Sequence, residues 1–153
     1  RKRVAGLHKK GASDIWSDLE LAIKEVLEGW PQADILIFGA FGGRLDHHLA
    51  SVFLPSDPEI APFMSQLYLM DQQNYLCYRP AGRHTILPIA GYTYVAFMPV
   101  EGDSIQIEGA KYPLNQTNYF KKAIYGSNEF INQPLTLTVD RGYALIIYSK
   151  DGK

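Results

Sequence analysis

Ten consecutive residues of this chain have the types and spacing that handle phosphate: Gly39-Ala-Phe-Gly-Gly-Arg-Leu-Asp-His-His48. Glycines at 39, 42 and 43 let backbone N–H groups approach an anion. A helix starting just after them turns its unpaired amides and positive dipole end toward the same place. Arg44 adds a fixed cation whose planar fork suits phosphate oxygens. Asp46 could hold a metal ion or a ribose hydroxyl. Adjacent His47 and His48 cannot share one helix face, so a two-histidine metal site is not expected.

The elements that must position these residues are legible on both sides. Ile35-Leu-Ile-Phe38 reads as a short apolar strand, of the kind found in a parallel sheet covered on both faces. Leu45 to Phe53 reads as a helix, broken by Pro55, Pro58 and Pro62. Upstream, Trp16, Leu19, Ile23, Val26, Leu27 and Trp30 recur at helical spacing and predict one buried stripe. Ser17 with Glu20 forms a capping-box pattern, and Gly29 with Pro31 marks the helix end.

After residue 66 the texture becomes strand. Leu67–Met70 and Tyr75–Tyr78 flank Asp71-Gln-Gln-Asn74 as a hairpin. Strands are predicted at Thr85–Leu87, Tyr92–Met98, Ser104–Ile107, Leu135–Val139 and Tyr143–Tyr148. Pro80-Ala-Gly82, Glu101-Gly-Asp103 and Asp140-Arg-Gly142 read as turns between them. The expected fold is therefore α/β plus all-β: a truncated Rossmann-like nucleotide domain over residues 1–79, then a β-sandwich over 80–153. Only one or two parallel strands precede residue 70, too few to cover their own faces. The expectation is a fragment lacking N-terminal strands, or one that takes them from a partner.

Composition narrows the function. The 153 residues carry a formal net charge of −1, with 46% hydrophobic and 20% charged residues. A near-neutral chain has no general attraction to nucleic acid or to an anionic membrane. The basic cluster Arg1-Lys-Arg3 and His8-Lys-Lys10 reads as a solvated tail. The single cysteine, Cys77, lies in a strand pattern and reads as a packed thiol in a reducing compartment. No apolar run is long enough to cross a bilayer and no h-region follows the basic start, so a cytoplasmic setting is expected.

The segment Gly42-Gly-Arg-Leu-Asp-His47 resembles the Gly-Gly-Arg-x-Asp-His signature of thiamine pyrophosphokinases. Pro80-x-Gly-x-His-Thr85, Tyr94–Pro99, Gly109-x-Lys-Tyr-Pro-Leu114, Gly126-Ser-Asn-Glu-Phe130 and Gly142…Ile146-Ile-Tyr-Ser-Lys-Asp151 follow in that family's order. The resemblance runs from the first helix to the C-terminus. It implies a transferase: the hydroxyethyl oxygen of thiamine attacks the β-phosphorus of ATP, pyrophosphate moves to thiamine, and AMP leaves. It also implies Mg2+ on the phosphates and a homodimer. The thiamine site would lie between the nucleotide domain of one subunit and the β-domain of the other.

The resemblance assigns roles residue by residue. Gly42, Gly43, Arg44, Asp46 and His47 would bind ATP, with Asp46 also catalytic. Ser17-Asp-Leu-Glu-Leu-Ala22 matches the second half of the family's Lys-Asp-x-Thr-Asp motif and its continuation. Asp18 then stands for the acidic residue that serves the magnesium–substrate site, catalytic and metal-binding. The first half departs, with Asp14 where lysine is usual and Ile15 where the first aspartate is usual. Ser127 and Asn128 would hold the aminopyrimidine of thiamine. Each has a plainer reading: Arg44 as a surface arginine over a turn, Asp18, Asp14 and Asp46 as charge at a helix start, His48 as structural or exposed, Ser127-Asn128 as a turn pair. Tyr119, Phe120, Tyr125 and Phe130 could stack on a heterocycle but suit a sandwich core or interface better.

One family feature is missing from these 153 residues, the acidic Gly-Asp-x-Asp-Ser-type motif that supplies magnesium ligands. The span alone is therefore expected to be catalytically incomplete. Two other readings stay open: a thiamine- or nucleotide-binding relative without chemistry, and a dimer-forming β-domain with a vestigial α/β stub.

Overall fold

The computed structural model describes residues 17–152. Asp14, Ile15, Trp16 and the basic cluster of residues 1–10 lie outside the described residues. Within them, helices α1 (Asp18–Gly29) and α2 (Leu45–Val52) and two short 3-10 helices, Leu54–Ser56 and Ala61–Gln66, accompany seven strands. The strands are β1 (Ile35–Phe38), β2 (Leu67–Met70), β3 (Asn74–Ile86), β4 (Tyr94–Val100), β5 (Ile105–Glu108), β6 (Tyr125–Asn128) and β7 (Leu135–Ser149). They form one mixed sheet in the order β1-β2-β3-β7-β4-β6, with β5 joined separately to β7.

The start of α1 forms by the expected reciprocal cap. Glu20 donates its N–H to the Ser17 hydroxyl at 3.1 Å, and Ser17 donates its N–H to the Glu20 carboxylate at 3.2 Å. Of the predicted stripe, Ile23 and Leu27 are buried, while Trp30 is 49% exposed at the helix end. The β2–β3 hairpin also forms, with Leu69 opposite Leu76, and the Asp71 carboxylate accepts the amides of Gln73 and Asn74.

β1 pairs in parallel with β2 and stands at the sheet's edge. Ile37 faces the core, but Leu36 and Phe38 are 50% and 70% exposed. The expectation of a strand covered on both faces is thus corrected for the described residues: alternate residues of β1 point to opposite sides, and among these residues only one side meets a packed layer.

Two predicted turns are not turns. Tyr75–Tyr78 and the predicted strand at Thr85–Leu87, as far as Ile86, belong to one strand, β3, and Leu135–Val139 and Tyr143–Tyr148 to another, β7. The register runs from Asn74↔Ser149 to Pro80↔Tyr143 and resumes at Gly82↔Val139. Ala81 therefore stands opposite Asp140, Arg141 and Gly142, and the paired strands bend there as a bulge. Proline and glycine suit a bulge as well as a turn, so composition alone misleads here. β6 also replaces what reads as a loop.

The bend lets the halves of the long strands share a core. Ile86, Leu135, Leu137 and Val139 from one half, with Ile105 and Ile107 of β5, meet Cys77, Ala144 and Ile146 from the other half, with Val95 and Phe97 of β4. Cys77 is buried, and burial pushes its thiol up to about 11, as suits an inert side chain. The opposite face of β3 and β7 presents Leu76, Tyr78, Tyr143 and Leu145 to α1, β1 and the 3-10 segment. The division after residue 79 falls inside β3, and the sheet runs through it.

One buried ion pair ties α1 to the 3-10 segment. The Lys24 ammonium lies 2.8 Å from Asp57, whose side chain is 7% exposed, and 2.7 Å from the exposed Glu59. Burial pulls the Asp57 carboxyl upward, but the Lys24 ammonium and the Glu59 amide outweigh it and hold the pKa below the ordinary value. Its contribution to stability is therefore complete above the unfolded-state pKa, about 3.9, and lost as pH falls through the lower folded-state value. Lys24→Met is expected to cost about 2 kcal/mol at pH 7 by leaving a buried carboxylate without its cation. Urea titrations of both proteins from pH 7 to pH 3 check this, the gap between them narrowing in acid.

Candidate functional site

The glycine-rich bend follows the C-terminal end of β1 directly. Gly42 and Gly43 have φ of 91° and 73°, a left-handed conformation that an L side chain resists. Arg44 is the N-cap of α2, in extended conformation, and makes no side-chain cap to the helix amides. The N–H groups of Leu45 and Asp46 at the start of α2 have no acceptor within the helix, while the His47 amide faces the Asp46 carboxylate and His48 donates to the Arg44 carbonyl at 3.0 Å. α2 buries none of its residues fully. Its C-terminal end is anchored by the Tyr78 hydroxyl, which donates to the carbonyls of Val52 at 2.7 Å and Ser51 at 3.3 Å.

Arg44 and Asp46 form a forked pair. Nε donates to Oδ1 at 3.2 Å and Nη2 to Oδ2 at 2.6 Å. Both side chains are exposed, at 71% and 63%. The guanidinium, foremost, holds the Asp46 carboxyl below the usual carboxylate range. Arg44 is thus held by Asp46, which is ionised. His47 is exposed on the helix. His48 is half-buried and accepts the Gly42 N–H on Nδ1 at 3.1 Å. The Gly42 amide is therefore engaged within the chain, and Gly42 serves the bend through its conformation.

Asp18 is exposed at the first position of α1. Among the described residues no group of three His, Cys, Asp or Glu is arranged to hold a metal ion. These residues do not build a magnesium site by themselves. A shallow cavity beside α1 is lined by Glu20, Ser56, Asp57, Pro58 and Glu59, and it holds none of the predicted site residues.

The second cluster sits on β6, at the far edge of the sheet. Ser127 is exposed with φ 57°, a conformation uncommon outside glycine, and it interrupts an otherwise extended strand. Asn128 is 4% exposed, and both ends of its side-chain amide are engaged. Oδ1 accepts the amides of Tyr112 at 3.0 Å and Glu129 at 2.9 Å, while Nδ2 donates to the Tyr112 carbonyl at 2.9 Å. Lys111 reinforces the contact by donating its N–H to the Glu129 carbonyl and pairing with the Glu129 carboxylate at 2.7 Å.

Asn128 thus splices the 110–112 segment onto the end of β6. Sequence reading passed over Tyr112, whose ring is 57% exposed beside this splice with the Lys111 ammonium 5.5 Å from its centre. The signal available was its place in Gly109-x-Lys-Tyr-Pro-Leu114. Asn128→Ala is expected to cost about 2–3 kcal/mol, because three backbone groups lose their partner in a buried setting. Thermal and urea unfolding of the variant check this.

The nearby aromatics divide as composition suggests. Tyr125 is buried and donates its hydroxyl to the Phe120 carbonyl at 2.6 Å. Phe130 stacks on Tyr148, with centroids 6.0 Å apart. Phe120 is 54% exposed and meets Tyr125 edge-on, while the Tyr119 hydroxyl donates to the Asp103 carbonyl.

The structure does not bring the two clusters together within one chain. β1 and β6 are the two ends of the strand order, five strand intervals apart. On a flat sheet that is roughly 24 Å.

A parallel strand running into a glycine bend and a helix start is an α/β arrangement of the kind that can turn main-chain amides toward an anion. Comparison with known proteins narrows the class. A family model described as thiamin pyrophosphokinase, vitamin B1 binding domain, matches residues 83–144, a span containing Tyr112, Ser127 and Asn128. Thiamine pyrophosphokinase of Bacillus subtilis is 31% identical over 98% of this chain and 70% of its own length. The crystal structure of a thiamin pyrophosphokinase family protein from Enterococcus faecalis superposes with a TM-score of 0.83 at 33% identity, covering 94% of this chain and 68% of that one. Thiamin pyrophosphokinase of Candida albicans shares the fold, with a TM-score of 0.62 at 10% identity over 91% of this chain and 63% of its own. The chain belongs to the thiamine pyrophosphokinase family.

Proposed function

We propose that this chain takes part in the transfer of pyrophosphate from ATP to thiamine, giving thiamine diphosphate and AMP. The observation that carries the reading is the junction of β1 and α2, where left-handed Gly42 and Gly43, the open first turn of α2 and the forked Arg44 converge. In this reading Gly43 and the helix amides receive the phosphate chain, Arg44 neutralises its charge, and Asp46 orients Arg44. His47 and Gly42 complete the ATP site. The thiamine oxygen bonds to the β-phosphorus as the bridge to the α-phosphate breaks. Asp18 is the carboxylate proposed to meet the magnesium that accompanies ATP; among the described residues it belongs to no group of three His, Cys, Asp or Glu placed to hold a metal ion.

Thiamine is assigned to the β6 edge. Ser127 supplies an exposed hydroxyl, Tyr112 a face for the flat ring, and Asn128 holds the two in place. We read residues 1–79 as the nucleotide-binding part and residues 80–153 as the thiamine-binding part, the two joined through β3 and the shared sheet rather than separated as domains. Because the two clusters lie at opposite ends of one sheet, the reading requires a homodimer, the bend of one copy meeting the β6 edge of the other. A cytoplasmic setting fits these substrates.

The test is AMP release from ATP by a protein that joins these residues to the family's acidic magnesium-binding motif, assayed with and without thiamine, with product identified by mass. Equimolar AMP and thiamine diphosphate support the reading. ADP as product, or AMP release indifferent to thiamine, defeats it. Calorimetric binding of thiamine and MgATP without turnover would instead favour a binding relative without chemistry. Light scattering across a concentration series tests the dimer.

A further inference from the structure

His48 is not required by the reading above, yet its side chain bonds to the main chain of the bend. Its N–H donates to the Arg44 carbonyl at 3.0 Å, placing it in the first turn of α2. Side chains on a helix lean toward its N-terminus. The imidazole therefore reaches back over the helix start, where Nδ1 meets the Gly42 N–H at 3.1 Å. Its ring also lies against Phe41, with centroids 5.6 Å apart. An amide N–H can only donate, so Nδ1 must carry the lone pair and Nε2 the proton.

The consequence concerns the two residues next in the chain. Gly42-Gly43 is the most freely rotating dipeptide of the bend, and an anion that binds there must first restrict it. The contact with His48 imposes that restriction beforehand. It also takes up the Gly42 donor, leaving the Gly43 amide and the first helix amides for the ligand. Phe41 limits the ring from one side and so helps hold Nδ1 in line. We propose that His48 is a positioning residue, which fixes the glycine bend in its anion-receiving conformation through Nδ1. It touches no substrate. The proposal deepens the ATP reading of this bend and rests on it for its functional consequence, while the contact itself can be tested without ligand.

Two substitutions separate acceptor from packing. His48→Asn puts Oδ1 at the same bond distance from Cα as Nδ1, so it keeps an acceptor for Gly42. His48→Phe keeps a ring against Phe41 and removes the acceptor. Two readouts apply to the full chain: hydrogen exchange at the Gly42 amide by NMR, and MgATP affinity by calorimetry. In His48→Phe, Gly42 exchange is expected to rise about tenfold and MgATP affinity to fall about fivefold to tenfold, the size of one net hydrogen bond. His48→Asn is expected to stay within about twofold of the parent in both, since the bond is kept. The proposal is overturned if Gly42 exchange is unchanged in His48→Phe, or if His48→Asn behaves like His48→Phe. A parent protein that fails to bind MgATP, with Gly42 exchange still following the acceptor, would remove the ATP reading and leave the positioning role intact. Normal ATP binding in both variants would do the reverse.

Discussion

Gly142→Ala is expected to destabilise the chain by about 3–5 kcal/mol, enough to unfold much of it at 37 °C. Two effects combine. Gly142 has φ +66°, a left-handed conformation that costs an L residue about 1–2 kcal/mol. A Cβ there would also stand 2.1 Å from the Val100 carbonyl oxygen, which is main chain of the neighbouring strand and cannot rotate away. Relief needs β4 and β7 to separate where Tyr143 pairs with Val100. Asp140 holds the same corner, accepting the amides of Asp103 and Ser104 at 3.1 Å and of Arg141 at 2.8 Å. Urea denaturation checks the size of the loss. Stability within 1 kcal/mol of the parent would show that the corner is softer than its geometry.

Arg44→Ala, made in a protein that also carries the family's acidic magnesium motif, is expected to lower kcat/KM for ATP about 100-fold, the effect of losing charge-assisted hydrogen bonds to phosphate. The folding midpoint should not move, because the Arg44–Asp46 pair is exposed on both sides. Arg44→Lys keeps the charge without the fork and should recover only part of the loss. Steady-state assays varying ATP, beside a melting curve, separate these effects. Equal kcat/KM in Arg44→Ala and parent would place the phosphate elsewhere.

Local signals made much of this molecule readable. The Ser17–Glu20 cap, the strand at Ile35–Phe38, the glycine bend and the Leu67–Tyr78 hairpin each depend on residues close in sequence, so their chemistry is written in short windows. The failures are non-local. Pro80-Ala-Gly82 and Asp140-Arg-Gly142 look like turns, but strand pairing on both sides turns them into one bulge within continuous strands. Exposure of Leu36 and Phe38 depends on what packs against β1, which a four-residue apolar run cannot state.

The site follows the same rule. The pairing of Arg44 with Asp46 is made between residues close in sequence. The occupation of Asn128 is not local, because its partner, Tyr112, lies sixteen residues away and is met through main-chain atoms. Tyr-Gly-Ser-Asn likewise lacks the alternation that announces a strand, since β6 is an edge whose Gly126 and Ser127 both face solvent. His48 presents as a spare histidine until the helix start folds it back over Gly42.

The placement of β1 and β6 at opposite ends of one sheet has a genetic consequence on the proposed reading. A copy crippled by Arg44→Ala still offers a sound β6 edge, and a copy crippled at Ser127 still offers a sound bend. Co-expressed, the two defective alleles should complement each other. Random pairing makes half the assemblies mixed, each with one of its two composite centres whole, so about one quarter of parental turnover should return.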